Sequence, residues 1–83
     1  MDPVSRLRLL VANMRDRIPA DALDDIVEYI EFSEAQLALE LLADSLGEEG
    51  ASITTAELYE FESLALAWRI EDNRFDFLRS QVR

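Results

Sequence analysis

Eighty-three residues, 49% of them apolar and 31% charged, suffice for one small globular domain with a modest core. The absence of Cys and His rules out disulfide staples, thiolate metal sites and the usual general base. A formal net charge of −10 disfavours direct binding to nucleic acid or to an anionic membrane and favours a basic partner.

The chain opens with Asp2-Pro3, a helix N-cap followed by proline at the first helical position. Leu7, Leu10, Val11, Met14 and Ile18 recur at helical spacing, which predicts a first helix from Pro3 to about Arg17. The longest apolar run there, Leu9-Leu10-Val11-Ala12, is too short for a signal-peptide core or a membrane span, so the expected compartment is the cytoplasm.

Pro19 cannot extend the first helix but can open a second, predicted over Pro19 to Phe32. Leu23, Ile26, Val27 and Ile30 form its apolar stripe. Asp21, Asp24, Asp25, Glu28 and Glu31 form the opposite face, and Tyr29 lies on the border. Ser33-Glu34-Ala35-Gln36 then fits a capping box, and Phe32 and Leu37 occupy the positions of a hydrophobic staple. A third helix is expected from Glu34 to about Leu46. Leu37, Ala38, Leu41, Leu42 and Ser45 are expected to be buried, Leu39 and Leu46 marginal, and Gln36, Glu40 and Asp44 to form a polar strip. Gly47 suits a left-handed cap, with Gly47-Glu48-Glu49-Gly50 as a loop.

Thr54-Thr55-Ala56-Glu57 is a second capping box, with Ile53 and Leu58 as its staple. The fourth helix is predicted from Thr55 to Ile70. Leu58, Phe61, Leu64, Ala65 and Trp68 make its main face, and Tyr59, Leu66 and Ile70 a second stripe. A short last helix over about Arg74 to Gln81 carries Phe75, Phe77 and Leu78, with Val82 just beyond it. No strand signal rises above noise. The expected architecture is therefore all-α: one domain over residues 1–83, a small bundle of four helices plus a short C-terminal helix.

Charge is unevenly distributed. Between Ile18 and Ser63 there are thirteen Asp or Glu and no Lys or Arg. The first seventeen residues carry four Arg against two Asp, and the last twenty carry four Arg against three acids. The acidic faces can be solvated surface or a docking surface. Like charges at Asp21/Asp25, Asp24/Glu28 and Glu40/Asp44 cost a few tenths of a kcal/mol each, which favours docking. Enzyme chemistry is not expected. The acids fall on outer helix faces, a di-iron bundle needs His, and the Gly47–Gly50 stretch has too few ligands for a calcium loop. No catalytic residue, metal or cofactor is assigned.

The run Ile26-Val27-Glu28-Tyr29-Ile30-Glu31, a tight corner, and then Leu37-Ala38-Leu39-Glu40-Leu41-Leu42-Ala43-Asp44-Ser45-Leu46 resembles MafI-type immunity proteins. So does the spacing to Ile53-Thr54-Thr55-Ala56-Glu57 and the apolar helix after it. The resemblance covers roughly residues 19–78. One departure is the corner, usually of a His-Gly-Glu type in that family and Phe32-Ser33-Glu34 in this chain.

The resemblance implies a cytoplasmic bacterial protein that neutralises the C-terminal domain of a secreted polymorphic or contact-dependent toxin, often a nuclease. On that reading, carboxylates occupy a basic substrate groove where phosphates would lie. The partner-binding candidates are Asp21, Asp24, Asp25, Glu28, Tyr29, Glu31, Glu34, Glu40, Asp44, Glu48, Glu49 and Tyr59, with the two tyrosines as anchors. Phe32 is expected to act as a staple, not an anchor. The chain is expected to be a monomer or weak dimer that binds no nucleic acid directly and no membrane. Two other readings stay open: an acidic adaptor or nucleic-acid mimic docking on a basic regulatory protein, and a small oligomer built on the Tyr59, Leu66, Ile70 stripe.

Overall fold

The computed structural model describes all residues from Met1 to Arg83. The chain is all-α. Four α-helices run over Pro3–Met14 (α1), Ala20–Glu31 (α2), Ala35–Glu49 (α3) and Thr55–Ala67 (α4). A short 3-10 turn, Arg15–Arg17, continues α1, and the short last helix expected over about Arg74 to Gln81 is a 3-10 helix, Asp76–Gln81. The helices α2 and α3 form the most extensively packed pair, and α3 also packs on α1 and the C-terminal 3-10 helix, while α4 packs on α1. Twenty buried apolar residues form one cluster, with Phe61, Leu7, Met14, Leu39, Leu42 and Leu64 fully enclosed. The rings of Phe61 and Phe75 meet in a tilted arrangement with centroids 5.4 Å apart.

Two of the four α-helix starts, those of α1 and α4, are closed by side-chain caps. Asp2 caps α1, accepting from the Ser5 backbone N–H and hydroxyl at 2.9 Å each. Thr54 caps α4 in the expected capping box: its hydroxyl accepts from the Glu57 N–H at 3.1 Å, and the Glu57 carboxylate accepts from the Thr54 N–H at 2.8 Å. Ile53 and Leu58, the staple, are both buried. Ile53 also makes a single parallel bridge with Val82, its N–H donating to Gln81 O and its carbonyl accepting from the Arg83 N–H. That bridge fastens the C-terminus beside the start of α4.

The ends of α2, α3 and α4 share one device. At the end of α2 the Glu34 N–H donates to Tyr29 O and the Ser33 N–H to Ile30 O, with Ser33 left-handed at φ 62°. At the end of α3 the Ala51 N–H donates to Leu46 O and the Gly50 N–H to Gly47 O, with Gly50 at φ 60°. At the end of α4 the Ile70 N–H donates to Ala65 O and the Arg69 N–H to Leu66 O, with Arg69 at φ 56°. Each is a Schellman closure, which satisfies two otherwise orphaned carbonyls and reverses the chain.

These closures correct several expectations. Ser33 is the left-handed closing residue of α2, so its hydroxyl caps nothing and the Ser33–Gln36 box does not form. Phe32 and Leu37 do not make a buried staple, since they are 70% and 46% exposed. Gly47 is helical, and the expected loop is the last turn of α3, with Gly50 as its left-handed residue. Gly47 is needed for a different reason. A Cβ there would lie 2.9 Å from the Phe77 ring, so glycine lets the C-terminal 3-10 helix lie against α3. Finally, α4 stops at Ala67, and the Arg69 reversal turns Ile70 inward. The supposed second stripe is thereby broken: Tyr59 and Leu66 stay exposed while Ile70 is buried.

The inward face of α3 also differs. Ala38, Leu39, Leu42, Ala43, Ser45 and Leu46 are buried, while Leu37 faces solvent and Leu41 is half-buried. This is about a quarter turn from the expected stripe at 3.6 residues per turn. A helix with apolar residues on nearly every side does not declare its inner face by periodicity alone.

Candidate functional site

The acids of the central segment separate into two classes. Five of the thirteen are engaged by arginines from the flanking segments. Arg6 on α1 donates to both carboxylate oxygens of Glu60 and to the Ser63 hydroxyl on α4. Arg17 donates to Glu57 at 2.7 Å and to Ser52 O at 3.2 Å. Arg74 donates to Glu40 at 3.0 Å and to both oxygens of Asp44, at 3.2 and 3.1 Å, while its guanidinium lies 5.4 Å from the Phe75 ring centroid. Arg79 pairs with Glu62.

These pairs leave a mark on ionisation. The Glu60 hydrogen bond raises the Arg6 guanidinium, and the Glu57 hydrogen bond raises that of Arg17. Partial burial works against charge on Arg74, but its hydrogen bonds to Asp44 and Glu40 outweigh it and the net shift is upward. Burial pushes the Glu57 carboxyl up. The hydrogen bonds from Arg17 and the Thr54 backbone outweigh that and leave it below its ordinary value.

Glu40 and Asp44 therefore do not form the uncompensated strip expected of them. Their like charges are bridged by Arg74, thirty residues downstream of Asp44, and their role here is to hold the C-terminal segment on α3. The other eight acids, Asp21, Asp24, Asp25, Glu28, Glu31, Glu34, Glu48 and Glu49, take no part in any ion pair. Six of these eight lie on α2 or at its corner with α3.

That corner concentrates the candidates. Asp25, Glu28, Tyr29, Phe32 and Glu34 line one concavity of about 350 Å³. Tyr29 is 38% exposed, and Phe32 more so. The left-handed Ser33 turns the chain so that Glu34 comes back beside the last turn of α2. Three carboxylates and two aromatic rings then face one space, a set that suits a guanidinium or ammonium group by charge-assisted hydrogen bonds and cation–π contact. Phe32 is the residue that sequence reasoning missed. Its position after the last apolar residue of α2 made it read as a staple, and its exposure places it among the lining residues instead.

The remaining candidates lie elsewhere. Asp21 is exposed in the first turn of α2. Asp24 and Glu31 flank Val27 on the other edge of α2, toward α1. Glu48 and Glu49 close α3, about 20 Å along the helix from the corner. Glu49 lines a separate cleft with Arg17, Ser52, Thr54 and Arg83. Tyr59 is 62% exposed on α4, whose main packing partner is α1, and it does not line the corner concavity.

No helix is long and apolar enough to cross a membrane. Comparisons with protein-family models, curated proteins and solved structures give no match.

Proposed function

We propose that the chain is an immunity protein, which binds a cognate toxin domain stoichiometrically and neutralises it without catalysis. The partner surface is basic, as on a nuclease that must hold phosphates, and the concavity at Asp25, Glu28, Tyr29, Phe32 and Glu34 receives its arginine or lysine side chains. The observation that carries this reading is the partition of charge. Five acids are matched by arginines at the expense of the termini, while the carboxylates of α2 are left without a partner beside two exposed aromatic rings. The acids steer encounter, and Tyr29 and Phe32 supply anchor area.

Stability gives Glu28 and Glu31 no support, whereas Asp21 and Glu34 sit at the N-terminal ends of α2 and α3, where the macrodipole favours an acid. The last turn of α2 carries Glu28 and Glu31 and no basic residue, at the helix end where the macrodipole disfavours anions. That cost, about 0.3–1 kcal/mol per acid at such a position, is what a surface selected for docking would tolerate.

The test is co-expression with the product of the adjacent open reading frame, with growth as readout and association kinetics on the purified pair. Reversing Asp25, Glu28 and Glu34 to Lys should abolish protection and slow association at low salt, with helical circular dichroism intact. Phe32→Ala should speed dissociation. Protection and rates unchanged in both variants would remove the corner as the interface. Failure of the neighbouring product to bind, with capture of a basic regulator instead, would favour the acidic adaptor reading.

A further inference from the structure

A second surface lies on the opposite edge of α2. A groove of about 250 Å³ between α1 and α2 has an apolar floor of Val11, Ala12, Leu23, Val27 and Ile30. Val27 is 36% exposed and Ala12 is exposed, so the floor is open to solvent. Its α1 rim carries Arg8 and Arg15, and neither guanidinium takes part in the chain's ion pairs. Arg6 and Arg17, from the same segment, are both engaged. On α2, Asp24 and Glu31 lie outside the lining itself but fall one turn either side of Val27 by helical spacing, and these too are unpaired.

The two rims match. Arg8 and Arg15 are seven residues apart, and so are Asp24 and Glu31. Each pair therefore spans two turns on one helix face, about 10 Å. Arg8, Val11, Ala12 and Arg15 of α1 and Leu23, Val27 and Ile30 of α2 border the same groove. An apolar floor between one basic and one acidic rim is self-complementary under one symmetry operation. A two-fold axis parallel to the groove sets α1 of each copy over α2 of the other. Arg8 and Arg15 of one copy then face Asp24 and Glu31 of its partner, twice over, around a shared floor. The perpendicular two-fold would oppose Arg to Arg and acid to acid.

The geometry points to a second copy of this chain as the occupant of the groove, forming an isologous dimer through α1 and α2. The concavity at Asp25, Glu28, Tyr29, Phe32 and Glu34 lies on the other edge of α2 and stays open in the dimer. This inference and the proposed function therefore stand or fall separately. The groove is shallow and the net charge of −10 opposes association, so the dimer is a weak one. At physiological ionic strength, with a Debye length of about 8 Å, remote acids are screened while contacting pairs are not.

Sedimentation velocity at physiological salt, from micromolar to millimolar protein, tests it. The protein should show a concentration-dependent dimer. The variants Arg8→Glu/Arg15→Glu and Asp24→Arg/Glu31→Arg should each dimerise about 100-fold more weakly, or not at all. The decisive measurement mixes the two variants. Each rim of one is then opposite in charge to the facing rim of the other, so a heterodimer should form where neither variant pairs with itself. A strictly monomeric protein at millimolar concentration, or a mixture that stays monomeric with both variants folded by circular dichroism, overturns the inference. So does a dimer that is indifferent to the four residues.

Discussion

The corner between α2 and α3 offers a test in which local sequence chemistry and the folded structure predict opposite signs. If Ser33 were the N-cap of α3, Ser33→Ala would lose about 1 kcal/mol and Ser33→Gly only a few tenths. In the structure Ser33 sits at φ 62°, caps nothing and closes α2. A left-handed conformation costs a residue with a Cβ roughly 1–2 kcal/mol, and glycine avoids it. Glycine also has more unfolded-state freedom to lose, about 0.5–1 kcal/mol, so the net gain from Ser33→Gly is about 0.5–1 kcal/mol. For a chain of this size that raises Tm by about 2–8 °C. Ser33→Ala keeps the Cβ and loses no hydrogen bond, so it should fall within about 0.5 kcal/mol of the parent. Urea and thermal unfolding followed by circular dichroism measure both. Arg69, at φ 56° in the closure of α4, supplies an independent replicate, and Arg69→Gly should gain a similar amount. Destabilisation by Ser33→Gly together with a loss of about 1 kcal/mol in Ser33→Ala would reinstate the capping box and refute the closure.

Two further expectations follow from side-chain polar contacts. The Gln81 amide donates to Leu46 O at 2.9 Å and Ala51 O at 2.8 Å, tying the chain end to the end of α3, so Gln81→Leu should cost about 1–3 kcal/mol in urea unfolding. The Glu57 carboxyl is held below its ordinary value of 4.5, so its contribution is complete above that pH and is lost as pH falls through the lowered folded value. The stability difference between the protein and Glu57→Gln should therefore shrink as pH drops below 4.5, as read from urea midpoints across that range.

How much of this was legible in the sequence depends on the range of the interaction. Thr54-Thr55-Ala56-Glu57 and Ser33-Glu34-Ala35-Gln36 carry the same start pattern, and only the first forms a box. Ile53 precedes Thr54 on extended chain, pinned by its bridge to Val82, which leaves room for an N-cap residue in the β region. Only Phe32, Ser33 and Glu34 separate α2 from α3, and closing α2 uses all three. Helix existence was legible because capping and periodicity act within a few residues. The ion pairs were not, since Arg6 meets Glu60 across fifty-four residues and Arg74 meets Glu40 across thirty-four. The count of acids without nearby bases was correct, but it overstated how many are uncompensated. What survives as a candidate site is the part no arginine reaches.

The unpaired corner can be separated from mere tolerance of charge by one substitution with two readouts. Glu28 lies in the last turn of α2, with Asp24 one turn before it and Glu31 three residues after it. Glu28→Lys converts an unfavourable dipole interaction into a favourable one and turns the repulsion from Asp24 into an i,i+4 pair. Together these are worth about 0.5–1.5 kcal/mol of added stability. If the corner exists to dock a basic surface, the same change should weaken toxin binding and protection. Stability and binding then move in opposite directions, as expected for a charge retained against its structural cost. A Glu28→Lys protein that is more stable and protects equally well would show that the acid at this position is solvated surface. A less stable one would show that the local electrostatics of α2 have been misjudged, and the inference from unpaired acids to docking would lose its footing.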